Sequence, residues 1–134
     1  MAMDTISSAV EMAFRTALLL TGNMKTAEAA VMDGIGACED LSDRGLPIEA
    51  VRSTIRRRTK SADTPDAIEL LPPELRRLFM LQPLSRDCFV CLILAGLSPE
   101  LCAELLDVAI TEVEDAVCAA LSQLPLLSTN RFAA

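Results

Sequence analysis

"GLSPELCAELLDVAITEVEDAVCAAL", residues 96–121, is the stretch that decides the fold. Gly96 closes one helix, and Ser98-Pro99 is a cap followed by a first helical residue. A helix over 99–106 follows, and a turn at 107–110 interrupts it. Thr111 with Glu114 three residues later spells a capping box, opening a last helix that runs to about Gln123, where Pro125 ends it. Leu101, Leu105, Leu106, Val108, Val113 and Val117 recur at helical spacing and supply an apolar core, with the small Ala103 where the two helices cross. Asp107 stands at the turn, and Asp is one of the few non-glycine residues that tolerates a left-handed backbone. The stretch reads as two short helices joined by a tight turn, a helix-turn-helix.

The chain around it is helical in character. It has 134 residues, of which 51% are hydrophobic and only 3% aromatic, with neither Trp nor Tyr. A core of Leu, Ala, Val, Ile and Met favours helices over sheets. Thr5, Ser7 or Ser8 can open a first helix, and Gly22-Asn23 stops it. Thr26 is a candidate cap for a second helix, with Glu28 in its first turn. Gly34 and Gly36 in that helix point to close packing against the first helix or to a weak helix. Phe14 and the methionines 24, 32 and 80 fall at apolar positions and read as core. Pro47 suits the first residue of a third helix, 47–60, which ends in "RSTIRRRTK". "SADTPD", 61–66, reads as a linker, and Thr64-Pro65 starts a short segment through Leu71. Helices are expected over 73–82 and, capped by Ser85, over 86–95. The expected fold is all-α, in two small helical domains at 1–60 and 73–134 with a linker at 61–72.

The formal net charge is −7. Such a balance argues against broad affinity for nucleic acid or anionic membranes. The longest apolar run, "CFVCLILA" at 88–95, is far short of the roughly 20 residues that a membrane span needs. Residues 1–10 lack the basic start and apolar run of a signal peptide. Five cysteines, an odd number, suit free thiols in a reducing cytoplasm. Cys88-x-x-Cys91 lies within an apolar helical run, with only Cys102 and Cys118 to complete a metal site, so it reads as core packing. With no histidine and no nucleophile beside a base, neither an enzyme nor a cofactor or metal site is expected.

Two stretches carry a family resemblance. "FRTALLLTGNMKTAEAAVMDGI", 14–35, resembles the first conserved region of extracytoplasmic-function sigma factors. "PLSRDCFVCLILAGLSPELCAELLDVAITEVEDAV", 83–117, resembles the promoter-reading helix-turn-helix of the same family. Together they imply a bacterial transcription protein with domains like sigma regions two and four. Glu28 and Asp33 match acids of the family's polymerase-contacting cluster. Ala29 and Met32 replace two other polar positions there, and the aromatic positions hold Ile35 and Glu39.

The chemistry of the last helix is inverted relative to that family. Where the family usually carries Lys, Ser and Arg, this chain has Glu114, Asp115 and Ala116. From Asp87 onward there are seven acids and one base, Arg131. Phosphate contacts normally supply most DNA affinity, and acids repel phosphates. The second half is also similar to the sigma-like half of general-stress response regulators, which binds an anti-sigma factor in place of a sigma factor, although no receiver domain accompanies it here. These resemblances imply an anti-sigma factor or core RNA polymerase as partner. Glu28, Asp33, Glu100, Glu104, Glu112, Glu114 and Asp115 are the expected protein-binding residues, helped by exposed Leu on the same helices. Arg52, Arg56, Arg57, Arg58 and Lys60 are the one cationic cluster. They serve as a candidate nucleic-acid contact, as a solvated helix end favoured by the dipole, or as partners for the chain's own acids. A working minimal sigma factor at promoter DNA and a helical oligomerisation module are the alternative functions.

Overall fold

The computed structural model describes the backbone of residues 2–38, 45–60 and 66–132, and side chains over 8–38, 45–58 and 66–125. The fold is all-α: every regular element among the described residues is helical. The chain divides into two compact units, Met1–Asp66 and Ala67–Ala134.

The first unit is a three-helix packing of α1 (Ala2–Thr21), α2 (Met24–Ala37) and α3 (Gly45–Lys60). All three pairs touch. Alanine dominates the core, with Ala13, Ala17, Ala27, Ala30 and Ala50 fully buried around Leu19, Leu20, Leu46 and Val51. Small side chains let helix axes approach closely, and Gly34 shows how closely. A Cβ there would lie 3.1 Å from Leu46 Cδ1 and 3.3 Å from the Ala50 nitrogen. The close approach is thus to α3 and not to α1, as the sequence suggested, while Gly36 faces open space. Two buried hydroxyls are satisfied within their own helices: Thr16 donates to the Met12 carbonyl and Thr54 to the Ala50 carbonyl, both at 2.7 Å.

Gly22, at φ 69°, reverses the chain after α1. Asn23 caps α2, its side-chain oxygen accepting from the Thr26 amide at 3.0 Å. The expected cap, Thr26, is instead a buried residue inside the helix, so Glu28 lies beyond the first turn. The third helix opens at Gly45, two residues ahead of Pro47. Of the segment expected to link the halves, residues 61–65 lie outside the described residues. Asp66 is fastened back onto the first turn: its amide donates to the Gly22 carbonyl at 2.9 Å, and its carboxylate accepts from the Met24 amide at 3.2 Å.

The second unit begins with a 3-10 turn, Ile68–Leu70, flanked by the buried Ala67 and Leu71. A short helix, α4 (Pro73–Arg76), tightens into a second 3-10 turn, Arg77–Met80, where one helix over 73–82 was expected. Then come α5 (Pro83–Phe89), a π turn at Val90–Leu94, α6 (Pro99–Leu106) and α7 (Ile110–Phe132). Proline opens α4, α5 and α6 because the first helical residue needs no amide hydrogen. Ser85 is therefore not a cap; it sits buried inside α5. The π turn is marked by the Ala95 amide donating to the Val90 carbonyl at 2.8 Å, five residues back.

Ser98 caps α6, accepting from the Leu101 amide at 3.2 Å. Asp107 ends it in the left-handed conformation, φ 57° and ψ 50°. Asp107 and Val108 send their amides back to carbonyls of the last turn, Val108 to Ala103 at 3.0 Å. α7 starts one residue before Thr111, and its reaching acid is Glu112, which accepts from the Ala109 amide at 3.4 Å. The expected Thr111–Glu114 box does not form. Pro125 lies inside α7 and does not end it. α7 packs on both α5 and α6 around a core of Leu78, Cys88, Val90, Cys91, Cys102, Val113 and Ala120.

Candidate functional site

The seven expected docking acids fall into two environments. On α6, Glu100 and Glu104 are exposed and, four residues apart, share one side of the helix. On α7, Glu112, Glu114 and Asp115 are exposed, while Val113 between them and Ala116 and Val117 after them are buried. The alternation follows from the helical period: the apolar residues turn toward α5 and α6, and the acids turn outward. Acids early in a helix are favoured by the positive end of its dipole, which stabilises Glu100 and Glu112 where they stand. Glu112 also holds the Ala109 amide, so it shapes the turn as well as charging the surface. Ile110 and Leu121 on the same helix are 42% and 53% exposed, giving apolar contact points beside the acids. Leu101 and Leu106 are half-buried and Leu105 is buried, so among the described side chains of α6 and α7 Leu121 is the exposed leucine. No lysine or arginine occurs between Asp87 and Asn130.

On α2 the outcome is split. Glu28 is exposed. Asp33 is engaged within its own unit. Its Oδ2 accepts from Ser53 Oγ at 2.7 Å and from Arg57 Nε and Nη2 at 3.0 and 2.8 Å. The Ser53 hydroxyl, and next the Arg57 guanidinium, hold its carboxyl below the ordinary 3.8. This carboxylate braces α2 against α3, a pairing between distant residues with no local signature.

The cationic cluster is drawn into the same unit. Arg57 pairs with Asp33, and Arg52 approaches Glu49 one turn earlier at 3.8 Å. Arg58 donates to the Leu20 carbonyl at 3.2 Å. Arg56 is exposed. The side chain of Lys60 lies outside the described residues. An open cavity of about 660 Å³ beside Arg56 and Arg57 is lined by Met32, Asp33, Gly36 and Ala37. Met32 is 66% exposed there, and Met80 is exposed in the second unit, so neither is the core residue that helical spacing suggested.

Cys88, Cys91 and Cys102 are fully buried, as their apolar setting predicts, whereas Cys118 is exposed on α7. Burial pushes the Cys88 thiol up to about 11. The neighbouring Cys102 and burial push the Cys91 thiol up, and Cys102 is pulled down by Cys91. No described helix is long and apolar enough to cross a membrane.

No family model matches the chain, and no curated protein or solved structure matches it either.

Proposed function

We propose that this chain is a sigma-like protein of bacterial transcription that acts through protein contacts. Its partner is an anti-sigma factor or core RNA polymerase. The docking surface is the exposed acidic side of α6 and α7, with Glu100, Glu104, Glu112, Glu114 and Asp115 supplying charge and Ile110 and Leu121 supplying apolar contact. The observation that carries this reading is the outward projection of carboxylates from α7, where a groove-reading helix needs cations. Charge of one sign on a surface steers a partner of the opposite sign and excludes polyanions. Promoter reading through the Arg52–Lys60 cluster is weakened by the internal bonds of Arg52, Arg57 and Arg58. The helix-turn-helix then serves as a scaffold for a protein-facing surface.

The test is affinity capture with the full chain from nuclease-treated bacterial lysate, read by mass spectrometry. Recovery of core polymerase subunits or of an anti-sigma-type protein is the expected result. Recovery of neither, together with DNA binding that weakens steeply with salt and is lost on Arg56→Glu, would replace this reading with that of a DNA-bound sigma factor.

A further inference from the structure

We propose that the open cavity between α2 and α3 is a binding site for a small monocarboxylate with an aliphatic stem, its carboxylate held by Arg57 and Arg56 and its stem laid along α2. The site lies wholly within the first unit, so the inference is independent of the docking surface proposed above.

The cavity, of about 660 Å³, falls within the roughly 300–1,000 Å³ typical of small-molecule sites. Its walls differ in character. Met32, Asp33, Gly36 and Ala37 follow one another at i, i+1, i+4 and i+5 and so share one side of α2, while Arg56 and Arg57 form the facing wall from α3. The α2 wall is open because Gly36 carries no side chain: a Cβ built there meets nothing within 4 Å. An aliphatic chain can therefore lie against the helix backbone. Met32, 66% exposed, stands one turn before Gly36, and an unbranched thioether adapts its shape to an apolar guest.

The cationic wall is preset. Arg57 gives one edge of its guanidinium to Asp33, through Nε at 3.0 Å and Nη2 at 2.8 Å. The accepting oxygen is itself fixed by the buried Ser53 hydroxyl at 2.7 Å. The guanidinium plane is thus held before any ligand arrives, and less side-chain entropy is lost on binding. The second edge, Nη1 with the outer Nη2 hydrogen, bonds no described residue. A planar carboxylate matches such an edge with two parallel hydrogen bonds. Arg56 supplies a second cation, and Asp33 offsets one of the two. Two guanidiniums less one carboxylate leave a single net positive charge among the described lining residues. That balance suits a monoanion, whereas the Asp33 carboxylate repels a dianion or a polyanion more strongly. The apolar strip of Met32, Gly36 and Ala37 then favours an anion that carries a stem over a bare inorganic one.

The experiment labels the methionine methyls of the full chain with carbon-13 and titrates it with sodium hexanoate at constant ionic strength. The resonance followed is the Met32 methyl, assigned by its absence in Met32→Leu. A saturable shift is expected, with a Kd on the order of 1 mM, as befits so small a ligand at an open site. Hexanol, which has the stem without the charge, should bind at least about tenfold more weakly. Gly36→Leu fills the open space and should abolish the saturable shift while keeping or raising the thermal midpoint, so that loss of the site is distinguished from loss of the fold. Arg56→Gln should weaken binding about threefold or more. The absence of a saturable shift up to about 20 mM hexanoate would overturn the proposal. So would equal binding of hexanol, or unimpaired binding to Gly36→Leu. Tighter binding of inorganic phosphate or of duplex DNA at the Met32 methyl would also overturn it, because the site would then select phosphate and not a carboxylate with a stem.

Discussion

Asp33 on α2 and Glu114 on α7 are both carboxylates on the outer side of a long helix, yet their surroundings differ in kind. Asp33 accepts three hydrogen bonds on one oxygen, from Ser53 and Arg57 of the neighbouring helix. Glu114 stands exposed on a helix whose single base, Arg131, lies 17 residues further along. In the first unit charge is used to hold two helices together. In the second unit buried Cys, Val and Leu fill the core, Asp87 is buried beside Arg86 on α5, and the acids of α6 and α7 are left facing outward. The same residue type thus serves the fold in one unit and, in the function we propose, recognition in the other. The difference is set by whether a neighbouring helix offers donors.

This contrast can be broken in several ways. The largest effect is expected from moving a carboxylate inward by one residue. Val113→Asp places an acid at a fully buried site between two exposed ones and should cost about 3 kcal/mol or more, read as loss of cooperative thermal unfolding of the second unit. In the first unit, Gly34→Leu drives side-chain atoms into Leu46 and the Ala50 backbone. It should destabilise by about 1–3 kcal/mol in urea unfolding, whereas Gly36→Ala, facing open space, should be neutral or stabilising. Next comes the left-handed turn. Asp107→Val should cost roughly 1–2 kcal/mol, while Asp107→Gly should cost little or stabilise.

The smallest effect separates the two kinds of acid directly. The Asp33 carboxyl is held below its ordinary 3.8, so its contribution is present above that value and is lost as pH falls through its lower folded value. Asp33 is part-exposed and solvent screens it, so Asp33→Asn should cost less than about 1 kcal/mol at neutral pH. The variant should also show a flatter acid limb in a stability–pH profile. Glu114→Gln should leave the stability at neutral pH unchanged. Equal behaviour of the two variants would remove the distinction.

Much of the helical frame was legible in the sequence because the signals were local. Ser98-Pro99 and Leu106-Asp107 bound α6 as read, and Gly22-Asn23 stops α1. Local signals misled where several competed. Asn23 displaced Thr26 as cap, Pro83 started a helix ahead of Ser85, and Glu112 took the role expected of Glu114. Pro125 is carried within α7, and the Leu124 carbonyl accepts from Arg77 of the same unit at 3.3 Å, a contact that no local rule supplies. The exposure of Glu112, Glu114 and Asp115 followed from periodicity. The pairing of Asp33 with Ser53 and Arg57, 20 and 24 residues away, depends on how α2 meets α3 and has no local signature.

The most direct test of the central claim compares the unaltered chain with a Glu112→Gln, Glu114→Gln, Asp115→Asn variant in parallel capture from nuclease-treated lysate. Circular dichroism would confirm that both are folded. The account predicts that the unaltered chain recovers core polymerase or an anti-sigma-type protein and that the variant recovers at least about tenfold less, the loss expected when charged contacts at an interface are removed. Equal recovery by both would contradict the assignment of docking to the acidic side of α7.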